Sequence, residues 1–138
     1  YRYSVPSGWK AYMGLHAINE KSNRVAVRSI RRIIVHPQYG QAISDYDIAL
    51  LEMEALVFFS ELVQSICLPS ASRVFVYGTV CYLTGWGAIK ENSHLAKTLQ
   101  EARVRIINRG VCNKLYHNLI TSHMLCVGNL NGGVDSCQ

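Results

Sequence analysis

Charged side chains make up only 17% of this 138-residue chain, and proline occurs three times. So little charge beside 49% hydrophobic residues excludes a disordered segment or a polyelectrolyte. No apolar run approaches the ~20 residues that a membrane span needs. No basic-then-apolar leader opens the chain, and its first residue is Tyr1 rather than Met, so it reads as a processed piece or a fragment. There is no C-x-x-C pair, no Cys-His cluster at zinc spacing and no acidic loop with calcium spacing, so no metal is expected. A Gly-rich phosphate loop is missing, as is any aromatic stripe interleaved with basic residues. Neither a cofactor nor a nucleic-acid partner is therefore expected. No Asn-x-Ser/Thr sequon occurs, so N-glycosylation within this stretch is not expected.

What is present is more telling. Five cysteines stand at 67, 81, 112, 126 and 137. Wide, irregular spacing in an apolar-rich chain favours disulfides and an oxidising, extracellular compartment; buried free thiols in a reducing one are the alternative. An odd count leaves at least one thiol whose partner lies elsewhere. The net charge of +5 gathers partly at Arg28, Arg31 and Arg32 and at Arg103 and Arg105. Both groups read as solvated strand faces, with a weak glycosaminoglycan-binding patch as the competing reading.

The hydrophobic pattern has period two. Ala11, Met13 and Leu15 alternate with Lys10, Tyr12 and Gly14; Ala102, Val104 and Ile106 alternate with Glu101, Arg103 and Arg105. The runs Ile33-Ile34-Val35, Ile48-Ala49-Leu50-Leu51 and Val80-Cys81-Tyr82-Leu83-Thr84 are short and apolar, bounded by breakers such as Pro37, Pro69, Gly78, Gly85 and Gly87. Asn131-Gly132-Gly133 offers a turn with positive φ. One short helix is expected near 108–116, with Asn108 as its cap and Val111 and Leu115 on one face. The stretch 95–102 reads as strand, with helix as the alternative that its composition allows. Many short strands with regular turns indicate an all-β barrel or sandwich, yet such barrels run to roughly 200–250 residues as one unit. The chain is short for that.

Three strings carry chemistry: Asp45-Tyr46-Asp47-Ile48-Ala49-Leu50-Leu51, an acid directly before an apolar strand expected to be buried; Leu83-Thr84-Gly85-Trp86-Gly87; and Gly132-Gly133-Val134-Asp135-Ser136-Cys137-Gln138. Their order, spacing and interleaved cysteines together resemble the trypsin-like (chymotrypsin-family) serine proteases along essentially the whole chain. The resemblance is closest to the membrane-anchored, matriptase-like type II transmembrane branch, through Tyr1-Arg2-Tyr3-Ser4, Trp9, Gly14-Leu15-His16 and the Cys126-Val127-Gly128 to Gln138 tail.

That resemblance implies a fold of two antiparallel Greek-key β-barrels. Residues 1–138 would form a partial peptidase domain: the later part of the first barrel, the crossover near 67–80, and the earlier part of the second. It further implies that Asp47 is the triad aspartate, Asp135 the acid at the base of the primary specificity pocket, Ser136 its neighbour and Gln138 a pocket-rim residue. A triad aspartate is expected to be buried against an imidazole, whose tautomer it holds and whose cation it stabilises. Asp45 is expected to be solvated instead. A carboxylate at the end of an apolar slot would select substrates with Arg or Lys at the cleavage site, because a neutral side chain would leave it buried and unpaired. By the same resemblance Cys112 and Cys126 pair, while Cys67, Cys81 and Cys137 have partners outside the chain.

The family's catalytic histidine sits in an Ala-Ala-His-Cys string and its nucleophile in Gly-Asp-Ser-Gly-Gly; neither string occurs here. His16, His36, His94, His117 and His123 lie in strand-exit, polar or turn contexts, and none is expected to be a general base. The oxyanion donors would follow Gln138, so they too are missing. The reading is a serine-type endopeptidase whose fragment, standing alone, is inactive. The alternative is a protease-like domain that has lost catalysis and serves as a binding module. Expected partners are Arg- or Lys-containing protein substrates and protease inhibitors. A secreted or cell-surface location is expected, with membrane contact only through regions outside the chain. Unclosed barrels would expose strand edges and apolar faces, favouring aggregation.

Overall fold

The computed structural model describes residues 5–90 and 92–128. The turn expected at Asn131-Gly132-Gly133 lies outside them. Backbone contacts divide the chain after Leu68 into two units. Among the described residues each unit holds one three-stranded antiparallel sheet.

In the first unit a 3-10 turn at Pro6–Gly8 leads into β1 (Lys10–Met13), followed by β2 (Ala26–Val35) and β3 (Ala49–Met53), in spatial order β1-β2-β3. Ala11 and Met13 turn inward and Lys10 and Tyr12 outward, the alternation that the sequence pattern requires. Beyond β1 the chain turns at Gly14, whose φ of +85° only glycine adopts at little cost. A Cβ there would also meet Leu62 Cβ and Val63 Cγ2 at 3.4 Å. The β2–β3 register shifts between Ile30 and Arg32, so Arg31 is the extra residue of a bulge. The bulge brings two consecutive guanidiniums to one acid: Arg32 Nε lies 2.8 Å and Arg31 Nη1 3.7 Å from the Glu52 carboxylate. Arg31 also donates to the Glu54 carbonyl and Arg28 to that of Leu56. The basic cluster on β2 is thus solvated, as expected, but it is also tied to the strand beside it.

The second unit orders β4 (Val80–Gly85), β5 (Gln100–Ile106) and β6 (Val127–Gly128) as β4-β5-β6. The stretch 95–102, expected as strand with helix as the alternative, is strand from Gln100 onward. On β5, Val104 is 1% and Ile106 2% exposed, while Glu101, Arg103 and Arg105 face solvent. The one α-helix among the described residues, α1 (Arg109–Leu115), starts where expected: Asn108 Oδ1 accepts from the amides of Gly110 (2.8 Å) and Val111 (3.3 Å). Its buried residue is Cys112, not Val111 or Leu115, both of which are exposed. A bond from Cys112 to Cys126 decides which face turns inward, and Cys126 stands directly before β6.

The expectation of a buried strand at 48–51 is not met. Ile48 and Leu50 remain about two-thirds exposed, and Leu51 half exposed. The reason lies in the topology: β3 is an end strand of its sheet among the described residues, and no second layer of the unit covers those side chains. Leu56, Phe58, Phe59, Ile66 and Leu68 are exposed as well. The buried apolar residues described are Ile30, Ala96, Val104, Ile106 and Cys112. The architecture is mostly strand, in two antiparallel sheets with one short helix, as expected of part of a two-barrel fold.

Candidate functional site

The Asp45-Tyr46-Asp47 string lies where the chain returns from β2 to β3, and its backbone is bonded on both sides. Asp45 exchanges two hydrogen bonds with Gly40, its N–H donating to the Gly40 carbonyl (3.2 Å) and its carbonyl accepting from the Gly40 N–H (3.1 Å). These close the loop 41–44, where Ser44 takes a φ of +53°. Asp45, expected to be solvated, is half-buried. Tyr46 follows with a φ of +52°, a left-handed conformation that costs a side-chain-bearing residue about 1–2 kcal/mol. Its carbonyl accepts from the Ile48 N–H at 2.8 Å, closing a three-residue turn with Asp47 at the apex. The Ile48 carbonyl then accepts from the His36 N–H at 3.1 Å, and β3 begins.

Asp47 is therefore carried by a short, fixed stretch of backbone. Its side chain is exposed, with no hydrogen bond or ion pair among the described residues. The expected burial against an imidazole is thus not found within the described chain. Of the five histidines, His16, His94, His117 and His123 are exposed and His36 is half-buried. The His36 ring is engaged elsewhere: its Nδ1 accepts from the Gln38 N–H, and its face stacks on Tyr46. A carboxylate so placed can orient and stabilise a cationic partner presented to it, but it cannot by itself attack a carbonyl or relay a proton through this unit.

Cys112 and Cys126 are joined by a disulfide. Cys67 is an exposed free thiol and Cys81 a half-buried one whose sulfur lies 3.8 Å from the Thr79 carbonyl. Asp135, Ser136, Cys137 and Gln138 lie outside the described residues. A cavity of about 350 Å³ opens beside Val104 and Ile106; its ionisable lining residues are Arg103 and Arg105, so it holds no acid–base pair. Among the described residues no three His, Cys, Asp or Glu side chains gather as a metal site would require. None of their helices is long and apolar enough to cross a membrane. The stack of His36 on Tyr46 escaped the sequence reading. Its only trace there is an aromatic residue between two acids and a histidine at a strand exit before Pro37, and neither signals a contact.

Comparison with known proteins fits this arrangement of strands, turn and disulfide. Over 139 aligned residues the chain is 42% identical to a protein of Bos taurus named suppressor of tumorigenicity 14 protein homolog. It is 39% identical over 136 residues to transmembrane protease serine 9 of Rattus norvegicus. These alignments take in 100% and 99% of the chain, but it spans only 16% and 12% of the two relatives' lengths. The family model described as Trypsin matches residues 3–138, and the chain belongs to the trypsin family.

Proposed function

We propose that the chain is part of a serine-type endopeptidase that cleaves after Arg or Lys by Ser-His-Asp acyl transfer. Asp47 is its triad aspartate. In this reading the imidazole that Asp47 orients, and the serine that attacks the scissile carbonyl, belong to polypeptide other than these 138 residues. The imidazole takes the serine proton as the tetrahedral intermediate forms, and the Asp47 carboxylate stabilises the resulting cation without itself becoming protonated. Asp135 receives the substrate's guanidinium or ammonium group, Ser136 adds a hydroxyl acceptor, and Gln138 lies at the pocket rim. Because Ser136 can accept from either cation, no sharp choice of Arg over Lys is expected. Cys67, Cys81 and Cys137 pair with cysteines outside the chain. The working location is extracellular, secreted or on a cell surface; the disulfide and the relative named as a transmembrane protease support this. Protein substrates and protease inhibitors are the partners.

The observation that carries the reading is the carboxylate of Asp47 held on a fixed turn at the mouth of β3, in a chain of the trypsin family. The test uses the longer polypeptide that supplies the family's histidine and serine strings. Asp47→Asn is expected to lower kcat roughly 10⁴-fold on an Arg-ended ester, the size of effect that removing a triad carboxylate has. Asp135→Ser should abolish the preference for basic residues. The 138-residue chain alone should show no turnover that a serine-directed phosphonate removes. Full activity in the Asp47→Asn enzyme would overturn the reading. A longer polypeptide that binds basic peptides without cleaving them would establish the binding module instead.

A further inference from the structure

The proposed triad assigns a role to Asp47 but none to the two rings beside it. His36 is fixed at several points as the chain leaves β2. Its N–H donates to the Ile48 carbonyl (3.1 Å), its carbonyl accepts from the Tyr39 N–H (3.0 Å), and its Nδ1 accepts from the Gln38 N–H (3.1 Å). That last bond leaves the neutral ring's proton on Nε2. On this anchored imidazole Tyr46 stacks, ring centroids 4.6 Å apart and planes 17° from parallel. Tyr46 is also the residue held at a φ of +52°, and its carbonyl closes the turn that has Asp47 at its apex.

Left to backbone preference alone, a tyrosine would leave that left-handed conformation, and the Tyr46 carbonyl would swing away from the Ile48 N–H. Stacking on His36 opposes this by favouring the ring position that goes with the observed φ. Asp45 is pinned to Gly40 on one side and Ile48 to His36 on the other. The apex residue then has little freedom left. We infer that the His36–Tyr46 ring pair is a positioning device for Asp47, with Tyr46 and His36 acting as positioning residues that never touch substrate. This rests on the triad reading of Asp47 and deepens it.

Glycine at position 46 separates the two explanations. It adopts positive φ without strain, so a turn held by backbone alone would survive Tyr46→Gly or tighten. If the ring holds the turn, Tyr46→Gly loosens it and Tyr46→Phe, which keeps the ring, restores it. In the 138-residue chain the amide exchange of Ile48 is expected to quicken at least tenfold in Tyr46→Gly and to return to the native rate in Tyr46→Phe. Equal Ile48 exchange in the Gly variant and the native chain overturns the proposal. In the longer protease Tyr46→Gly should lower kcat about tenfold with KM unchanged, and Tyr46→Phe should recover it. Added to Asp47→Asn, Tyr46→Gly should cause no further loss; a full additional tenfold loss in that double variant also overturns the proposal. A native rate in Asp47→Asn alone would instead count against the triad reading, and the Ile48 exchange would still decide whether the rings hold the turn.

Discussion

Removing the Cys112–Cys126 bond gives a worked test of what organises the second unit. The bond joins residues 14 apart in sequence. Confining a loop of about 15 residues in the unfolded chain corresponds to ~3 kcal/mol at 25 °C in the chain-entropy treatment. Little else described ties α1 inward, because Cys112 is its buried residue while Val111 and Leu115 are exposed. The double substitution Cys112→Ser, Cys126→Ser should therefore destabilise the second unit by most of that amount. Each unit carries one of the two tryptophans, Trp9 in the first and Trp86 in the second. In a Trp9→Phe background, urea unfolding followed by the remaining indole reads the second unit alone. With a slope of about 1 kcal/mol per molar urea, the midpoint should fall by roughly 2–3 M. In a Trp86→Phe background the first unit's midpoint should stay in place. A loss below about 0.5 kcal/mol in the second unit, or an equal loss in both, would refute the view that this bond is what fixes the helix to its sheet.

Other outcomes follow from the same structure. Asn108→Ala should cost about 1 kcal/mol by freeing the Gly110 and Val111 amides, and Asn108→Gly only a few tenths, both read from the same urea curves. Gly14→Ala should cost about 1 kcal/mol in the first unit, since alanine resists the φ of +85° there. With Ile48, Leu50, Leu56, Phe58 and Phe59 exposed, the 138-residue chain should bind a hydrophobic dye and sediment as more than a monomer; Leu50→Lys should reduce both signals. Heparin chromatography should release the chain well below physiological salt, because Arg28, Arg31 and Arg32 already point to carbonyls and to Glu52; retention beyond it would revive the glycosaminoglycan reading.

The parts of the fold written in local pattern were legible before any coordinates. The strict alternation from Glu101 to Ile106 fixed both the strand and its inward face, since period two admits one assignment of sides. Asn108 marked the helix start because an Asx side chain at that place satisfies amides that nothing else reaches. Patterns that depend on what lies across from a segment misled. Ile48-Ala49-Leu50-Leu51 is apolar enough to be buried on both faces, yet it ends a sheet, and composition does not say whether a covering layer exists. Val111 and Leu115 formed a plausible inner face, but a covalent bond at Cys112 turned the helix otherwise. Asp47 was found through family resemblance. The stack of Tyr46 on His36 was not, because a contact between residues ten apart, one in a left-handed conformation, has no sequence period.

The two hydrogen bonds between Gly40 and Asp45 insulate what lies inside them from what lies outside. Everything in 41–44 hangs from that clasp, so the tip can lengthen, shorten or change chemistry while the carboxylate a few bonds away stays put. A chain built this way can change the 41–44 tip and leave the turn that carries Asp47 untouched, one hairpin serving both novelty and constancy.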